Sequence, residues 1–258
     1  MSYVLSVPAE TIYTPSFRRP AAVDGLPLVE SRTLVRTFVH PPGKVYMLYG
    51  SRAVFSLSLT MASYAIAQGG RMAVVDGGNQ FNVHLLAQFA RRRRLNPDEF
   101  LKQIFVSRGF TCYQMEQAVT NRLPQFLKQI GSSTAMVFGL LDTFYDDQVK
   151  LHEVRQILQR LLGSLQAMRT DGMSVLLVCE ERTVWPEERN QLFTTLKQGV
   201  DRVYLLDAEG DRPRLFLEKG EESHGTHRTD LHEHHRSGTD RLAKIPPRTA
   251  QGGPGSVR

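Results

Sequence analysis

The chain has 258 residues, of which 41% are hydrophobic and 22% are charged, and its formal net charge is +6. These proportions are typical of a soluble globular protein with one core domain and tails, and the positive charge suits a partner that carries phosphates. No apolar run approaches the ~18 residues that span a bilayer, and no signal peptide is recognisable, so the sequence predicts a cytoplasmic protein that makes no membrane contact.

The two cysteines, Cys112 and Cys179, are far apart in the sequence and lack the spacing of metal ligands. This pattern favours a reduced, intracellular protein. Residues 1–27 contain four prolines and no periodic pattern, which predicts an extended N-terminal arm. Residues 221–258 hold five of the eight histidines and few apolar residues, so we expect a disordered His-rich tail. Its HEHH run would bind a transition metal weakly, but a solvated tail is the simpler interpretation, and no metal site is predicted.

In chain order, the first half of the core alternates between strands and helices. The run 30–42 predicts a strand that ends in a Pro-Pro turn, and the apolar run 45–49 predicts another strand. The helix predicted over 55–68 stops at two glycines, and Asn96 followed by Pro97 predicts the start of a later helix. Three further elements are predicted in this half: the strand 72–75, the helix 82–94 and the strand 103–109.

The second half continues the alternation. Residues 112–131 predict a helix interrupted at Pro124, the run TAMVFGLLD predicts a buried strand, and residues 151–172 predict a long amphipathic helix. A further apolar strand and two strand-like runs around a turn at residues 209–211 complete the core. Short apolar strands separated by helices indicate an α/β fold. We expect a mostly parallel central sheet flanked by helices, with a C-terminal antiparallel hairpin.

This order of elements resembles the RecA/RadA recombinase superfamily of P-loop ATPases. The strand VYMLYG and the helix after it stand where that family has its phosphate-binding loop, and MAVVDGGNQFNVHLLAQFA resembles its next strand and helix. The segment FVSRGFTCYQMEQAV resembles the following strand and helix, TAMVFGLLDTFYDD resembles the Walker B strand, and SVLLVCEER resembles the strand that ends in a polar sensor. The resemblance covers about residues 30–218 and implies a RecA-like core domain over 28–220.

The loop that would hold phosphate departs from the family. Such loops need several glycines, whose backbone N–H groups converge on the anion, and a lysine that reaches the β and γ phosphates. Here Gly50 is the one glycine that remains, and no lysine lies in the loop or in the helix after it. Two interpretations stay open. Either Arg52 serves as the cation with Ser56 as the magnesium hydroxyl, or Ser51 caps the helix and Arg52 is solvated.

Two further positions depart from the family. An acidic residue normally follows the position of Asp76 by two residues and activates the attacking water, but Gly78 stands there and cannot take a proton. The stretch 179–181 stands where an amide sensor is usual. Asp142 either holds magnesium through water or caps the next turn. We therefore expect a protein that keeps the fold, has lost ATP hydrolysis and needs no cofactor, with ATP and magnesium as the alternative. Its vestigial nucleotide-binding residues are Gly50, Ser51, Arg52, Ser56, Asp76 and Asp142.

Basic and aromatic residues supply the candidates for contact with nucleic acid. The run Arg91–Arg94 closes a helix and either contacts phosphates or stabilises the helix C-terminus. Arg108 follows a strand, and the nearby Phe110 and Tyr113 either stack on bases or pack between helix and sheet. Trp185, in a predicted loop, would anchor a partner if it is exposed. The predicted nucleic-acid-binding residues are Arg91, Arg92, Arg93, Arg94, Arg108 and Tyr113.

The resemblance implies a catalytically inactive accessory protein in DNA repair or recombination, which binds DNA, an active recombinase or a polymerase. RecA-like proteins assemble side by side through an aromatic residue of an arm. Tyr13 and Phe17 in the arm therefore predict a homo- or hetero-oligomer, although Pro20 stands where the family has alanine. The alternatives are a divergent ATPase with an aberrant phosphate loop and a purely protein-binding regulatory module.

Overall fold

Runs of apolar residues form the strands of one sheet, because a parallel strand covered on both faces needs apolar side chains on both sides. A computed structural model describes residues 26–29, 34, 38, 43–207 and 213–220. The strands within these ranges are β1 (Leu28–Val29), β2 (Val45–Gly50), β3 (Met72–Asp76), β4 (Ile104–Arg108), β5 (Thr134–Phe138), β6 (Ser174–Glu180), β7 (Arg202–Asp207) and β8 (Arg214–Lys219).

Helices connect the strands. They are α1 (Ala53–Ala67), α2 (Val83–Arg92), α3 (Pro97–Leu101), α4 (Cys112–Gln117), α5 (Leu123–Ile130), α6 (Leu151–Thr170) and α7 (Asn190–Gly199). A π-helical turn at Ala118–Arg122 joins α4 to α5, and Pro124 lies in the first turn of α5. The predicted cap of α3 is confirmed, since the Asn96 side chain accepts hydrogen bonds from the N–H groups of Asp98 and Glu99.

The described strands form an eight-stranded sheet in the order β1-β8-β7-β2-β6-β5-β3-β4. The strands from β7 to β4 are parallel, and β7 and β8 form the predicted antiparallel hairpin. Among the parallel strands, the chain begins at the central strand β2, crosses to β3 and the edge strand β4, and returns through β5 and β6 to β7. Helices α1–α3 cover one face on the outward path and α4–α7 cover the other on the return, which gives all crossovers one hand.

Two apolar cores lie on the two faces of the sheet. Phe55 and Leu59 of α1, Leu86 of α2 and Phe100 of α3 pack on the first face. Helices α4–α7 pack on the second face, where α6 alone buries seven residues: Val154, Ile157, Leu158, Leu161, Leu162, Leu165 and Met168. The mostly parallel sheet flanked by helices, predicted from the sequence, is therefore confirmed.

Two predicted strands differ from the structure. Leu34 and Phe38 are helical and buried, so the strand predicted over 30–42 is wrong at both positions. The physical reason is their i, i+4 spacing, which places both side chains on one helix face. The strand predicted over TAMVFGLLD ends at Phe138, because Gly139 adopts a left-handed conformation (φ 58°) and the chain turns into a 3₁₀ helix at Leu140–Thr143.

The described residues all belong to one unit, Met1–Glu222. The predicted arm, apart from residues 26 and 27, and the predicted tail lie outside them, as does the turn of the hairpin. Within the described ranges, every helix is either too short or too polar to cross a bilayer.

A candidate ligand site at the carboxyl edge of the sheet

Ligands of open α/β sheets bind beyond the carboxyl ends of the parallel strands, where neighbouring strands are followed by helices on opposite faces. This arrangement occurs between β2 and β6, because α1 packs on the first face and α7 on the second. It occurs again between β3 and β5, which are followed by α2 and α6. The residues of the predicted nucleotide site lie at this carboxyl edge, so the fold places them where a ligand would be expected.

The connection from β2 to α1 has two residues, Ser51 and Arg52. The N–H groups of Val54 and Phe55 donate to the carbonyl oxygens of Ser51 and Arg52, at 3.0 and 3.3 Å. Two donors that a phosphate loop would present to an anion are therefore used within the first turn of the helix. The connection is also too short to wrap around a phosphate group.

Ser51 does not cap α1. The structure shows no side-chain hydrogen bond at this helix start, and the Ser51 hydroxyl is buried without a partner among the described residues. The capping interpretation of Ser51 is therefore wrong. Ser51 does not act as the cap because the turn is tight and Arg52, one residue later, occupies the position before the helix.

Arg52 and Ser56 line one cavity, as an ATPase with an unusual loop would require. The cavity has a volume of about 690 Å³ and lies between the start of α1, the 79–82 loop and the start of α2. Arg52 is exposed, and its guanidinium group lies 3.4 Å from the side-chain oxygen of Gln80. Asp142 does not line this cavity, although Arg52 is close enough to lower the pKa of the Asp142 carboxyl.

Asp76 holds the loop that follows β3. Its buried carboxylate accepts hydrogen bonds from the backbone N–H groups of Gln80 and Phe81, at 2.9 and 3.0 Å. The Arg108 side chain at the end of β4 lies 4.0 Å from the same carboxylate. With both oxygens engaged, Asp76 has a structural role in shaping the loop.

Asp142 pairs with an arginine that sequence reasoning missed. The Arg182 guanidinium donates to the Asp142 carboxylate at 2.9 Å and lies over the Tyr145 ring. Asp142 itself lies against Gly78 and Gly139, where an added Cβ would come within 2.2 and 2.6 Å of its oxygen. The sequence signal was an arginine two residues beyond a strand end at the carboxyl edge, which is a common and unspecific pattern.

The electrostatics of this pair do not favour a magnesium site. Burial raises the pKa of the Asp142 carboxyl, Glu180 and Asp76 raise it further, and Arg182 and Arg52 oppose the shift. Burial likewise raises the pKa of Glu181. Arg182 is a cation beside Asp142, and the described residues contain no group of three potential metal ligands. The arrangement is a partly buried ion pair that ties the turn after β5 to the segment after β6.

We expect the Asp142→Asn variant to be at least as stable as the parent protein at pH 8. The pKa of the Asp142 carboxyl is raised, so the folded protein binds this proton more tightly than the unfolded chain, and its contribution to stability falls as the pH rises. The difference in melting temperature should shrink as the pH falls, because the parent carboxyl takes up its proton. Thermal unfolding from pH 4 to 8 measures it, with Asp147→Asn as an exposed control. A clear loss of stability at pH 8 would show that the Arg182 pair outweighs burial.

The predicted nucleic-acid residues do not form one patch. Helix α2 begins at the carboxyl ends of the strands and runs back along the sheet. Its last residues, Arg91–Arg94, therefore lie near the amino ends of the strands. Arg108 ends β4 at the carboxyl edge. At about 3.3 Å per residue, a five-residue strand such as β4 spans about 16 Å, so the two groups lie at opposite ends of the strands. Sequence spacing alone could not reveal this separation.

The aromatic residues near Arg108 are exposed. Phe110 is 71% and Tyr113 is 44% accessible, so the interpretation that both pack between helix and sheet is wrong. Phe110 lies in the short turn between β4 and α4, and Tyr113 lies in the first turn of α4. Tyr113 donates a hydrogen bond to Glu153 at 2.7 Å, which fixes its ring. Trp185 is also exposed, at 82%, in the segment after β6.

Strand β4 forms an open edge of the sheet. It pairs with β3 on one side and with no described strand on the other. A groove of about 510 Å³ runs beside it, lined by β3, β4 and the helical segment after α4, and contains Val106, Leu123, Phe126 and Arg122. An edge of this kind accepts an extended peptide as an added strand.

No protein-family model matches the chain, and a search of curated proteins found no match.

Proposed function

We propose that this protein is a RecA-like accessory protein in DNA repair or recombination that does not hydrolyse ATP. It acts through its surface, by binding DNA or an active recombinase or polymerase. The observation that carries the proposal is the two-residue connection between β2 and α1, whose N–H groups close the helix start. A fold with ligand positions at its carboxyl edge, but without a phosphate cradle there, is suited to binding and not to phosphoryl transfer.

Two surfaces support a binding role. At the carboxyl edge, exposed Phe110 and Tyr113 follow Arg108, and aromatic rings beside a cation suit the bases and phosphates of a single strand. The open edge of β4, with its apolar groove, suits an extended segment of a protein partner. The purely protein-binding alternative rests on the second surface alone.

We expect millimolar ATP with magnesium to leave the melting temperature unchanged. A ligand that binds only the folded state at 100 times its Kd would stabilise the protein by about 2.7 kcal/mol, which is readily detected. Isothermal titration of the full chain should likewise give no heat of binding, with an active P-loop ATPase as the positive control. Micromolar binding of ATP would contradict the proposal, and hydrolysis lost in Asp142→Asn would favour the divergent ATPase.

We expect labelled single-stranded DNA to bind at low salt and to be released as the salt concentration rises, because phosphate contacts displace counterions. Arg108→Glu combined with Phe110→Ala should weaken binding at least tenfold. Fluorescence anisotropy measures the affinity, and Lys102→Glu with Lys128→Glu serves as a control with a larger loss of exposed cations elsewhere. Absence of binding at low salt would leave the protein-binding alternative.

A further inference from the structure

Helix α1 has no charged residue, although part of it lies on the surface of the protein. Its exposed positions are Ser56, Thr60 and Ala67. The Thr60 hydroxyl donates to the carbonyl oxygen of Ser56 at 2.9 Å, and the neighbouring Ser63 hydroxyl donates to that of Leu59 at 2.8 Å. Because the Thr60 hydroxyl donates within the helix, the exposed strip of α1 around Thr60 can be covered without leaving this donor unpaired.

A groove runs between α1 and α2 on the outer side of this strip. It consists of the 690 Å³ cavity at the carboxyl edge and a second cavity of about 320 Å³ further along, and both are lined by Leu59 and Leu85. Phe55 also lines the first cavity, and Phe89 also lines the second. We call it the α1–α2 groove. Helix α1 has 15 residues, so its length of about 22 Å matches four turns of a second helix.

Arginines lie at both ends of the α1–α2 groove. Arg52 lines one end, and Arg92 and Arg93 line the other. Arg93 is held there by the rings of Tyr64 and Phe89, 4.9 and 5.2 Å from its guanidinium carbon. Among the described residues, no carboxylate lies within ion-pair distance of these three arginines.

The sequence around the groove likewise has many more arginines than carboxylates. From Arg52 to Arg94 the chain contains six arginines and a single carboxylate, that of Asp76. Asp76 is buried and bonded to backbone N–H groups, so it does not neutralise the groove. The partly exposed Leu85 and Phe89 form a narrow apolar floor beside the polar side chains that also line both cavities, and the ends of the groove are positively charged.

We propose that the α1–α2 groove binds an acidic amphipathic helix of a partner protein. Leucine-like side chains of that helix would cover the apolar floor, and its carboxylates would pair with the arginines at the two ends. This inference rests on the proposed function, because it names a surface by which the accessory protein holds a protein partner.

The charge of the groove selects this occupant over the ends of the same chain. Residues 1–25 contain two carboxylates and two arginines, and residues 221–258 contain five carboxylates against six lysines and arginines. Neither segment has the negative charge that the groove complements. Nucleic acid would meet the arginines, but its charged backbone would leave Leu85 and Phe89 without apolar contacts.

The test uses the full chain and two synthetic 18-residue amphipathic peptides. Both carry leucine at positions that form one helical face. One has glutamate on the other face, and the control has lysine in its place. We expect micromolar binding of the glutamate peptide and at least tenfold weaker binding of the lysine peptide, measured by fluorescence anisotropy. Arg92→Glu with Arg93→Glu, and separately Thr60→Glu on the exposed strip, should each weaken binding of the glutamate peptide at least tenfold. Lys150→Glu, on the other side of the sheet, should not.

Equal affinity for the two peptides, no binding of the glutamate peptide, or binding that the groove variants leave unchanged would each overturn the proposal. Oligothymidine is titrated into the same proteins. If the groove variants weaken the binding of oligothymidine and the glutamate peptide does not bind, this face is a nucleic-acid surface. The result is separable from the proposed function, since ATP binding and the Arg108 variant report on the carboxyl edge, while the peptides report on the groove.

Discussion

The Gly50→Ala variant is expected to lose about 3 kcal/mol or more of its free energy of unfolding. Gly50 ends β2 with a φ of +139°, a conformation that other residues rarely adopt. An added Cβ would lie 2.2 Å from the carbonyl oxygen of Leu206 on β7, and a backbone atom cannot move aside as a flexible side chain can. Urea unfolding followed by circular dichroism measures the loss.

Gly69→Ala is the matched control for this variant. Gly69 also has a positive φ, +87°, but an added Cβ there would meet nothing within 4 Å. Its loss of about 1 kcal/mol would report the backbone conformation alone. If the two variants lose equal stability, the close approach of β2 to β7 is not what requires glycine. A larger loss for Gly50→Ala would show that this glycine, placed where the family has its phosphate loop, serves the packing of the sheet.

The Asp76→Ala variant is expected to lose about 3 kcal/mol, because two backbone N–H groups lose their charged acceptor. Those groups belong to Gln80 and Phe81, and the loop that they fix forms one wall of the 690 Å³ cavity. Asp76→Asn keeps one side-chain oxygen as an acceptor, so its loss should be about half as large. Thermal and urea unfolding of the three proteins measure the series.

Asp147→Ala serves as the control for Asp76, since Asp147 is an exposed carboxylate in the loop before α6, and its removal should change stability by less than about 0.5 kcal/mol. Unchanged stability of Asp76→Ala would contradict the structural role of Asp76. Its carboxylate would then be free for a ligand, and the vestigial nucleotide site would need to be tested again with ATP.

Much of the fold could be predicted from local patterns. Each of the main strands β2, β3, β5 and β6 is a short apolar run, and the start of α3 is marked by Asn96 and Pro97. Such signals depend on a few neighbouring residues, so a single sequence carries them. The prediction failed at Leu34 and Phe38, where a helical i, i+4 spacing occurs in a run that also reads as a strand. The ends of elements were likewise uncertain, because Gly139 ends β5 through its backbone conformation and not through a change in hydrophobicity.

The candidate site was predicted only in part. The missing lysine and the glycine-poor connection after β2 are visible in the sequence, and both point away from phosphate binding. The partners of the remaining polar residues are not visible there. Arg182 reaches Asp142 across 40 positions, and Asp76 is used by backbone groups of its own loop. Pairing at such a distance depends on the order of strands in the sheet.

The sequence by itself determined the alternation of strands and helices, the mostly parallel sheet, and the absence of the residues that grip a triphosphate. These follow from residue type and spacing, which act locally. The tertiary structure decided which residues meet. It placed Arg91–Arg94 and Arg108 at opposite ends of the sheet, exposed Phe110 and Tyr113, and joined α1 to α2 around an uncharged strip with arginines at its ends. Each of these facts depends on the path of the chain between strands, because a crossover brings together residues that the sequence holds apart.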